Sequence, residues 1–353
     1  MKLKKIVTAT AAVAVLGASA LAWTAPANAQ DNKVRWKLSS TYSSGLTQLG
    51  TLGVLLSKNI ERVSGGNIQM KFFEPKALVP ELENFDAVAA GSVDAAWSTP
   101  GYWRSKEEAL SLFAAVPFGP SAGEYLAWMY HGGGHDLMDE VYAKYGIKSV
   151  LCGVIAPEAS GWFRKEINSL DDLKGLKMRF FGLGAKVMEK LGVSTQLLAG
   201  GDIYPALERG TIDATEFSMP AIDLKLGFHQ VAKHYYFPGW HQQSTLFELM
   251  MNKAKWDALN DTQQAQIETV CKANITEGLA EGEAIQAKAL IELKAKGVTI
   301  HRWSPEILAT LEKTWTEVAG ELSASDPTFK KVWDSLQAFR GDYKVWKELG
   351  YLN

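Results

Sequence analysis

The chain is 353 residues long, 47% hydrophobic and nearly balanced in charge, at −2. That length supports two domain-sized cores, and the lack of a basic tract excludes a nucleic-acid partner. The two cysteines form no C-x-x-C spacing, which excludes a thiolate zinc motif.

At the N-terminus, Lys2, Lys4 and Lys5 precede an apolar run from Ile6 to Trp23 and then Ala27-Asn28-Ala29. A basic start, a short apolar core and an A-x-A site describe a secretory signal peptide. Cleavage is expected after Ala29, giving a periplasmic mature chain that is more acidic for the loss of those lysines. Beyond residue 30 no apolar stretch reaches the roughly 20 residues that span a bilayer.

Strand-like and helix-like segments then alternate, the pattern of α/β layers. Val34 to Ser39 alternates as a strand and runs into a loop from Tyr42 to Gly45. Leu49 to Val63 has helical periodicity, stopped by Ser64, Gly65 and Gly66, and Asn67 to Phe73 is a second strand. Glu81 to Ala90 reads as a helix, Gly91-Ser92 as a turn and Val93 to Trp97 as a strand.

The unit from Ala89 to Pro100 is echoed from Glu208 to Pro220. Each has a helix end, a glycine suited to a left-handed cap, a β-branched strand and a proline-marked loop. Two copies in separate halves point to two related lobes with a cleft between them. Asp261 to Gly297 is expected to form one long helix capped at Asp261. Further helices from Ser304 to Asn353 carry Trp315, Trp333 and Trp346, which are expected to dock on a core or a partner subunit. Cys152 lies in an apolar strand-like run and Cys271 in the long helix. An oxidising compartment permits their disulfide, but two buried thiols packing as small hydrophobes is the favoured reading.

Gly175 to Gly182 ends a strand on a single arginine, Arg179, among Met178, Phe180 and Phe181. Gly200 to Phe217 supplies a short helix, a Gly turn and a short strand ending at Glu216. Neither segment offers a nucleophile or a phosphate cradle, and no G-x-S-x-G elbow occurs. Capture of a small anion is therefore favoured over chemistry. The guanidinium fork of Arg179 matches a carboxylate through two parallel bonds, and a salt bridge to a nearby acid is the competing reading. Glu158, Glu216 and Gln242 are either an oxygen-donor set for a hard cation or three unrelated polar residues. His241 is the histidine nearest them, and Tyr102 belongs to the core or to the cleft wall.

Six segments occur in a family order: Ala115 to Gly119, Ala127 to Gly134, Gly161 to Glu166, Gly175 to Gly184, Gly201 to Glu216 and Tyr235 to Trp240. Together they resemble the extracytoplasmic solute-binding subunits of TRAP (tripartite ATP-independent periplasmic) transporters, over essentially the whole mature chain. The likeness is greatest to the branch that takes 2-oxo or 2-hydroxy monocarboxylates such as pyruvate or lactate. It implies an α/β, two-lobed periplasmic binding-protein fold with a long spanning helix and C-terminal helices. The expected division is a signal peptide at 1–29, a first lobe from 30–153 and 242–353, and a second lobe from 154–241, with the long helix at 261–297.

The resemblance also implies that Arg179 holds the substrate carboxylate, with Glu158, Tyr102 and Phe181 beside the substrate. A bridging cation would be held by Glu158, Glu216, the Phe217 carbonyl and Gln242. The branch often has Gln where Glu158 stands and Glu where Gln242 stands, so amide and carboxylate are exchanged at constant charge. A tryptophan common at 217 is phenylalanine here. Two carboxylates, a substrate anion and one arginine are neutralised by Ca²⁺ but not by Na⁺, so Ca²⁺ is expected and Na⁺ is the alternative. The partners implied are a small monocarboxylate, membrane permease subunits and, through the C-terminal helices, a second copy of the chain. Two other readings are a metal-dependent periplasmic enzyme with His241 or Glu158 as base, and a ligand-presenting module for a sensor kinase.

Overall fold

The strands expected near residues 34, 67 and 93 form and pair with one another, and the rest of the architecture grows from them. The computed structural model describes residues 33–352, so the expected signal peptide and its cleavage site lie outside the described residues. In chain order the strands are β1 (Val34–Ser40), β2 (Ile68–Phe73), β3 (Ala95–Ser98), β4 (Ile147–Ile155), β5 (Gly161–Phe163), β6 (Lys177–Arg179), β7 (Ser194–Gln196), β8 (Ala214–Thr215), β9 (His234–Phe237), β10 (Thr245–Asn252) and β11 (Thr299–Arg302).

They make two sheets. The first has order β2-β1-β3-β10-β4 and the second β11-β9-β5-β8-β6-β7. In the first, β1 runs parallel to β2 and β3, while β10 is antiparallel to both β3 and β4. Strand β10 is buried along almost its whole length, as its run of Leu246, Phe247, Leu249, Met250 and Met251 requires. In the second sheet, β6 runs parallel to β7 and β8, and Arg179 stands opposite Thr215.

The echoed units occupy corresponding places. Gly91 and Gly210 adopt left-handed φ of 74° and 71°, and β3 and β8 follow them, one in each sheet. Strand β11, which the sequence division assigned to the first lobe, instead pairs in parallel with β9 at the edge of the second sheet.

The long helix is Asp261–Ala295, 35 residues, about 50 Å at 1.5 Å per residue. Its N-cap is Asn260 rather than Asp261: Asn260 Oδ1 accepts from the Gln263 amide at 2.9 Å, and Gln263 Oε1 accepts from the Asn260 amide in return. The helix packs against β4 of the first sheet, the helix Thr51–Val63 and the helix Pro220–Leu226. The cysteines are joined as Cys152–Cys271, tying β4 to this helix and correcting the reading of two free thiols. Beside the disulfide, Asn274 Nδ2 donates to the Cys152 carbonyl at 2.8 Å.

The C-terminal helices are Pro305–Ser325 and Pro327–Gly350. Trp315 is buried between them with its ring edge-on to Trp333 at 5.4 Å, whereas Trp346 is exposed. Among the described residues, no helix is long and apolar enough to cross a membrane.

Candidate functional site

Two pairs of parallel strands, β1 with β3 in the first sheet and β6 with β8 in the second, lead to residues that line or back one cavity. Tyr42 follows β1 and Thr99 follows β3; Arg179 ends β6, and Glu216 and Phe217 follow β8. Ligands in α/β sheets bind beyond the carboxyl ends of such strands, where sheet geometry leaves a crevice. Here a cavity of about 20 Å³ is lined by Tyr42, Leu49, Thr99, Tyr102, Glu158, Arg179, Phe181, Phe217, Ser218, Gln242, Thr245 and Phe247. Of the residues expected at the site, Glu158, Tyr102, Arg179, Phe181, Phe217 and Gln242 line it, and Glu216 pairs with Arg179 behind it.

Arg179 is 1% exposed. Its Nη1 donates to Glu216 Oε1 at 2.6 Å and to the Glu216 carbonyl at 2.8 Å, and its Nε donates to the Leu198 carbonyl at 3.2 Å. The competing reading of this arginine, a salt bridge to a nearby acid, is therefore realised. Nη2 makes no hydrogen bond among the described residues, so two N–H donors stay available on a residue that lines the cavity. The guanidinium also lies over the Phe217 ring at 5.2 Å and the Phe181 ring at 6.0 Å, which keep water from its faces.

Glu216 accepts in addition from the Phe181 amide at 2.5 Å. Burial works against its charge, yet Arg179, His241 and that amide together hold its carboxyl below the usual glutamate range. Glu158 is the opposite case. Burial first, and Glu216 second, push its carboxyl well above that range. Glu158 Oε1 accepts from Gln242 Nε2 at 3.0 Å and Thr245 Oγ1 at 2.7 Å, while the Gln242 amide also donates to Thr245 at 2.7 Å. The loop carrying Glu158 is fixed from behind, where the Gly239 amide donates to the Glu158 carbonyl at 3.0 Å. A Cβ on Gly239 would overlap that same oxygen, so glycine is required.

The oxygens left over are informative. Glu158 Oε2, Glu216 Oε2 and Gln242 Oε1 are buried without hydrogen-bond partners. Buried carboxylate and amide oxygens are almost always satisfied, so this cluster fits a hard cation in donor chemistry. One ligand atom each from Glu158, Glu216 and His241 can be chosen with all three within 4.8 Å of one another.

Aromatic rings complete the lining. Tyr102 meets Phe181 edge-on at 4.9 Å, and Tyr42 meets Phe247 edge-on at 5.9 Å. Burial raises both tyrosine hydroxyls, so each stays a neutral donor. Sequence reading missed Tyr42, Thr99, Thr245 and Phe247 as lining residues. The first two follow strands that it did identify, so the strand-end rule applied to β1 and β3 was the signal available. Nothing in sequence singles out Thr245.

A small buried cavity lined by residues that follow strands of both sheets is the form of site found in a solute-binding protein. The DctP family profile, described as bacterial extracellular solute-binding protein, family 7, matches residues 38–326. The chain belongs to that family, whose members capture solutes and are not enzymes. It is 36% identical over 325 residues, 91% of this chain and 88% of the relative, to a monocarboxylate 2-oxoacid-binding periplasmic protein of Nostoc sp.. A TRAP solute-binding protein of Bordetella bronchiseptica, a dimer with calcium and picolinate in one active site, superposes with TM-score 0.89 at 35% identity, covering 91% of this chain and 95% of that one. Another, from Pseudoalteromonas atlantica with bound sodium and pyruvate, gives 0.86 at 31% identity, covering 90% and 97%.

Proposed function

We propose that this protein captures a 2-oxo or 2-hydroxy monocarboxylate in the periplasm, through Arg179 and a bridging cation, for delivery to a membrane permease. The observation that carries the reading is the cavity's division of labour. Arg179 lines the cavity with Nη2 free, Glu158 and Gln242 line it and each keep an unpartnered oxygen, and Glu216 behind it keeps a third. The arginine would hold the substrate carboxylate. The cation, bound by Glu158, Glu216, Gln242 and the Phe217 carbonyl, would meet that carboxylate and the neighbouring 2-oxo or 2-hydroxy oxygen. Tyr102 and Phe181 would close over the substrate.

The relatives with calcium and picolinate, or sodium and pyruvate, support a cation beside a small acid. Charge balance favours a divalent ion, Ca²⁺ before Na⁺, because uncompensated buried charge is costly. A single arginine suits a monocarboxylate better than a dicarboxylate. Export by cleavage after Ala29 belongs to the same reading. So does the division into lobes at 30–153 with 242–353 and at 154–241, amended by β11. A second copy is the proposed cover for Val345, Trp346 and Leu349, which the last helix leaves exposed.

Calorimetry of pyruvate with metal-stripped mature protein tests this. Binding is expected with Ca²⁺ and lost in EDTA. Arg179→Lys keeps the charge beside Glu216 but removes the fork, and should weaken pyruvate by about tenfold or more. Undiminished binding in Arg179→Lys would overturn the arginine's role, and undiminished binding in EDTA the cation's.

A further inference from the structure

The cavity is lined by residues that follow strands of both sheets, so the contacts between those two sides decide whether a solute is kept. The inference rests on the solute capture proposed above. Three contacts cross between the sides. Lys76, after β2, pairs with Asp202 of the helix Gly200–Glu208 at 2.9 Å. Glu108, in the 3₁₀ helix Glu108–Phe113, meets Lys186 of the helix Gly184–Lys190 at 3.6 Å. The third contact is apolar. Phe181, two residues beyond the end of β6, lays its ring on Gly101, in the 3₁₀ turn Pro100–Trp103 that follows β3.

Exposure ranks the three. The side chains of Lys76 and Asp202 are 56% and 50% exposed, and exposed ion pairs contribute little because water and salt screen them. The pair of Glu108 with Lys186 is longer and also partly exposed. Phe181 is buried, with the Arg179 guanidinium over its ring at 6.0 Å and Tyr102 edge-on to it at 4.9 Å. A Cβ on Gly101 would overlap Phe181 Cζ and stand 2.8 Å from Cε1 and 3.1 Å from Cε2. Gly101 is not among the residues with left-handed φ, so its backbone would accept a side chain. The nearest atoms that side chain would meet all belong to the Phe181 ring.

We propose that Gly101 is a positioning residue for solute capture. Its missing side chain admits the Phe181 ring when the two sides close, and this contact, more than the ion pairs, keeps the solute in. Gly101 does not itself line the cavity; it acts through Phe181, which does. The Phe181 amide donates to the same Glu216 carboxylate that pairs with Arg179. A solute that orders Arg179 and Glu216 therefore also places the ring over Gly101. With the sides parted, Gly101 faces no ring and has room for a methyl group.

Gly101→Ala is compared with the native mature protein by calorimetry of pyruvate with Ca²⁺, and by thermal unfolding without solute. Affinity is expected to fall about tenfold or more, mainly through faster release, while solute-free unfolding stays unchanged. Phe181→Leu removes Cε1, Cε2 and Cζ, the atoms that the methyl group would strike. That variant binds more weakly for loss of cover, but within its background Gly101→Ala should cost only about threefold or less. Lys76→Ala in the native background should likewise cost about threefold or less.

Unchanged affinity in Gly101→Ala overturns the inference, and so does an equal loss in the native and Phe181→Leu backgrounds. Solute-free Gly101→Ala that melts lower, or does not fold, would mean that the contact belongs to the standing core rather than to closure, and overturns it too. A larger loss from Lys76→Ala than from Gly101→Ala overturns it in favour of the ion pair. Failure of the native protein to bind pyruvate would instead remove the capture reading on which the inference rests.

Discussion

Asp223, in the helix Pro220–Leu226, accepts from Trp162 Nε1 and from the Tyr235 hydroxyl, both at 2.9 Å and both on Oδ2, while Oδ1 has no partner. No cation pairs with it among the described residues. Burial, only partly offset by those two donors, pushes its carboxyl up to about 7 from 3.8. The folded chain thus holds a proton on Asp223 at pH values where the unfolded chain has released it. Stability from this group is greatest below about pH 4 and is lost as pH rises towards 7, on the order of 4 kcal/mol in all. Asp223→Asn cannot titrate, so urea unfolding from pH 4 to 7 should show a slope shallower by about one proton. Equal slopes in the two proteins would reject this. Glu216, equally buried, shifts the other way because Arg179 is its neighbour, and that contrast marks what sequence could tell at this scale. A lone arginine in an apolar strand, and a carboxylate ending the strand that echoes the β3 unit, are visible in the chain. The hydrogen bonds that Arg179 gives to Glu216, and the packing of Phe181 on Gly101, depend on separations between distant segments that no local pattern encodes.

Elements were legible in proportion to their length. The long helix and the opening strands follow from periodicity and caps. A strand of three residues such as β7 is too short to show a period and exists because β6 pairs with it, whereas the equally short β8 was legible through its echo of the β3 unit. The bridge from Cys152 to Cys271 spans 119 residues, so it needed the long helix to be seated on β4 before it could be read. Two glycines face that contact, and the seating depends on the first of them. A Cβ on Gly278 would stand 2.9 Å from Leu52 Cδ1 and 3.2 Å from the Val154 carbonyl, a packed side chain and a backbone atom. On Gly282 it would meet Gln48 Oε1 at 3.0 Å, the far end of a flexible side chain. Gly278→Val should therefore lift the helix from β4 and cost about 1–3 kcal/mol. Gly282→Ala should be close to neutral, because better helix propensity returns roughly 0.5–1 kcal/mol. Thermal unfolding of both variants tests the pair, and equal losses would mean that β4 does not set the helix's distance.

At the scale of the whole molecule, the site's small volume constrains how it can fill. A cavity of about 20 Å³ has room for little more than one water, whereas pyruvate has six heavy atoms. Neither pyruvate nor a cation can enter this arrangement while both walls stay in contact, and Arg179, Glu158 and Phe217 are too buried to be reached from outside. The two sheets are joined by chain crossings near residues 155–161 and 237–245, and the long helix lies between β10 of the first sheet and β11 of the second in the chain. Parting of the walls about those crossings, followed by reclosure on the solute, is the motion that permits binding. A solute binding mainly to the closed form also draws the population towards it, by no more than its differential affinity for that form. Small-angle X-ray scattering should accordingly give a larger radius of gyration for metal-stripped, solute-free protein than for protein with Ca²⁺ and pyruvate. The solute-bound protein should also melt higher, by a shift that grows with the logarithm of free pyruvate, reaching about 2.7 kcal/mol at a hundredfold excess over the dissociation constant. Identical scattering with and without solute, alongside such a melting shift, would mean that pyruvate enters through local rearrangement of Arg179 and Glu216 rather than by separation of the walls.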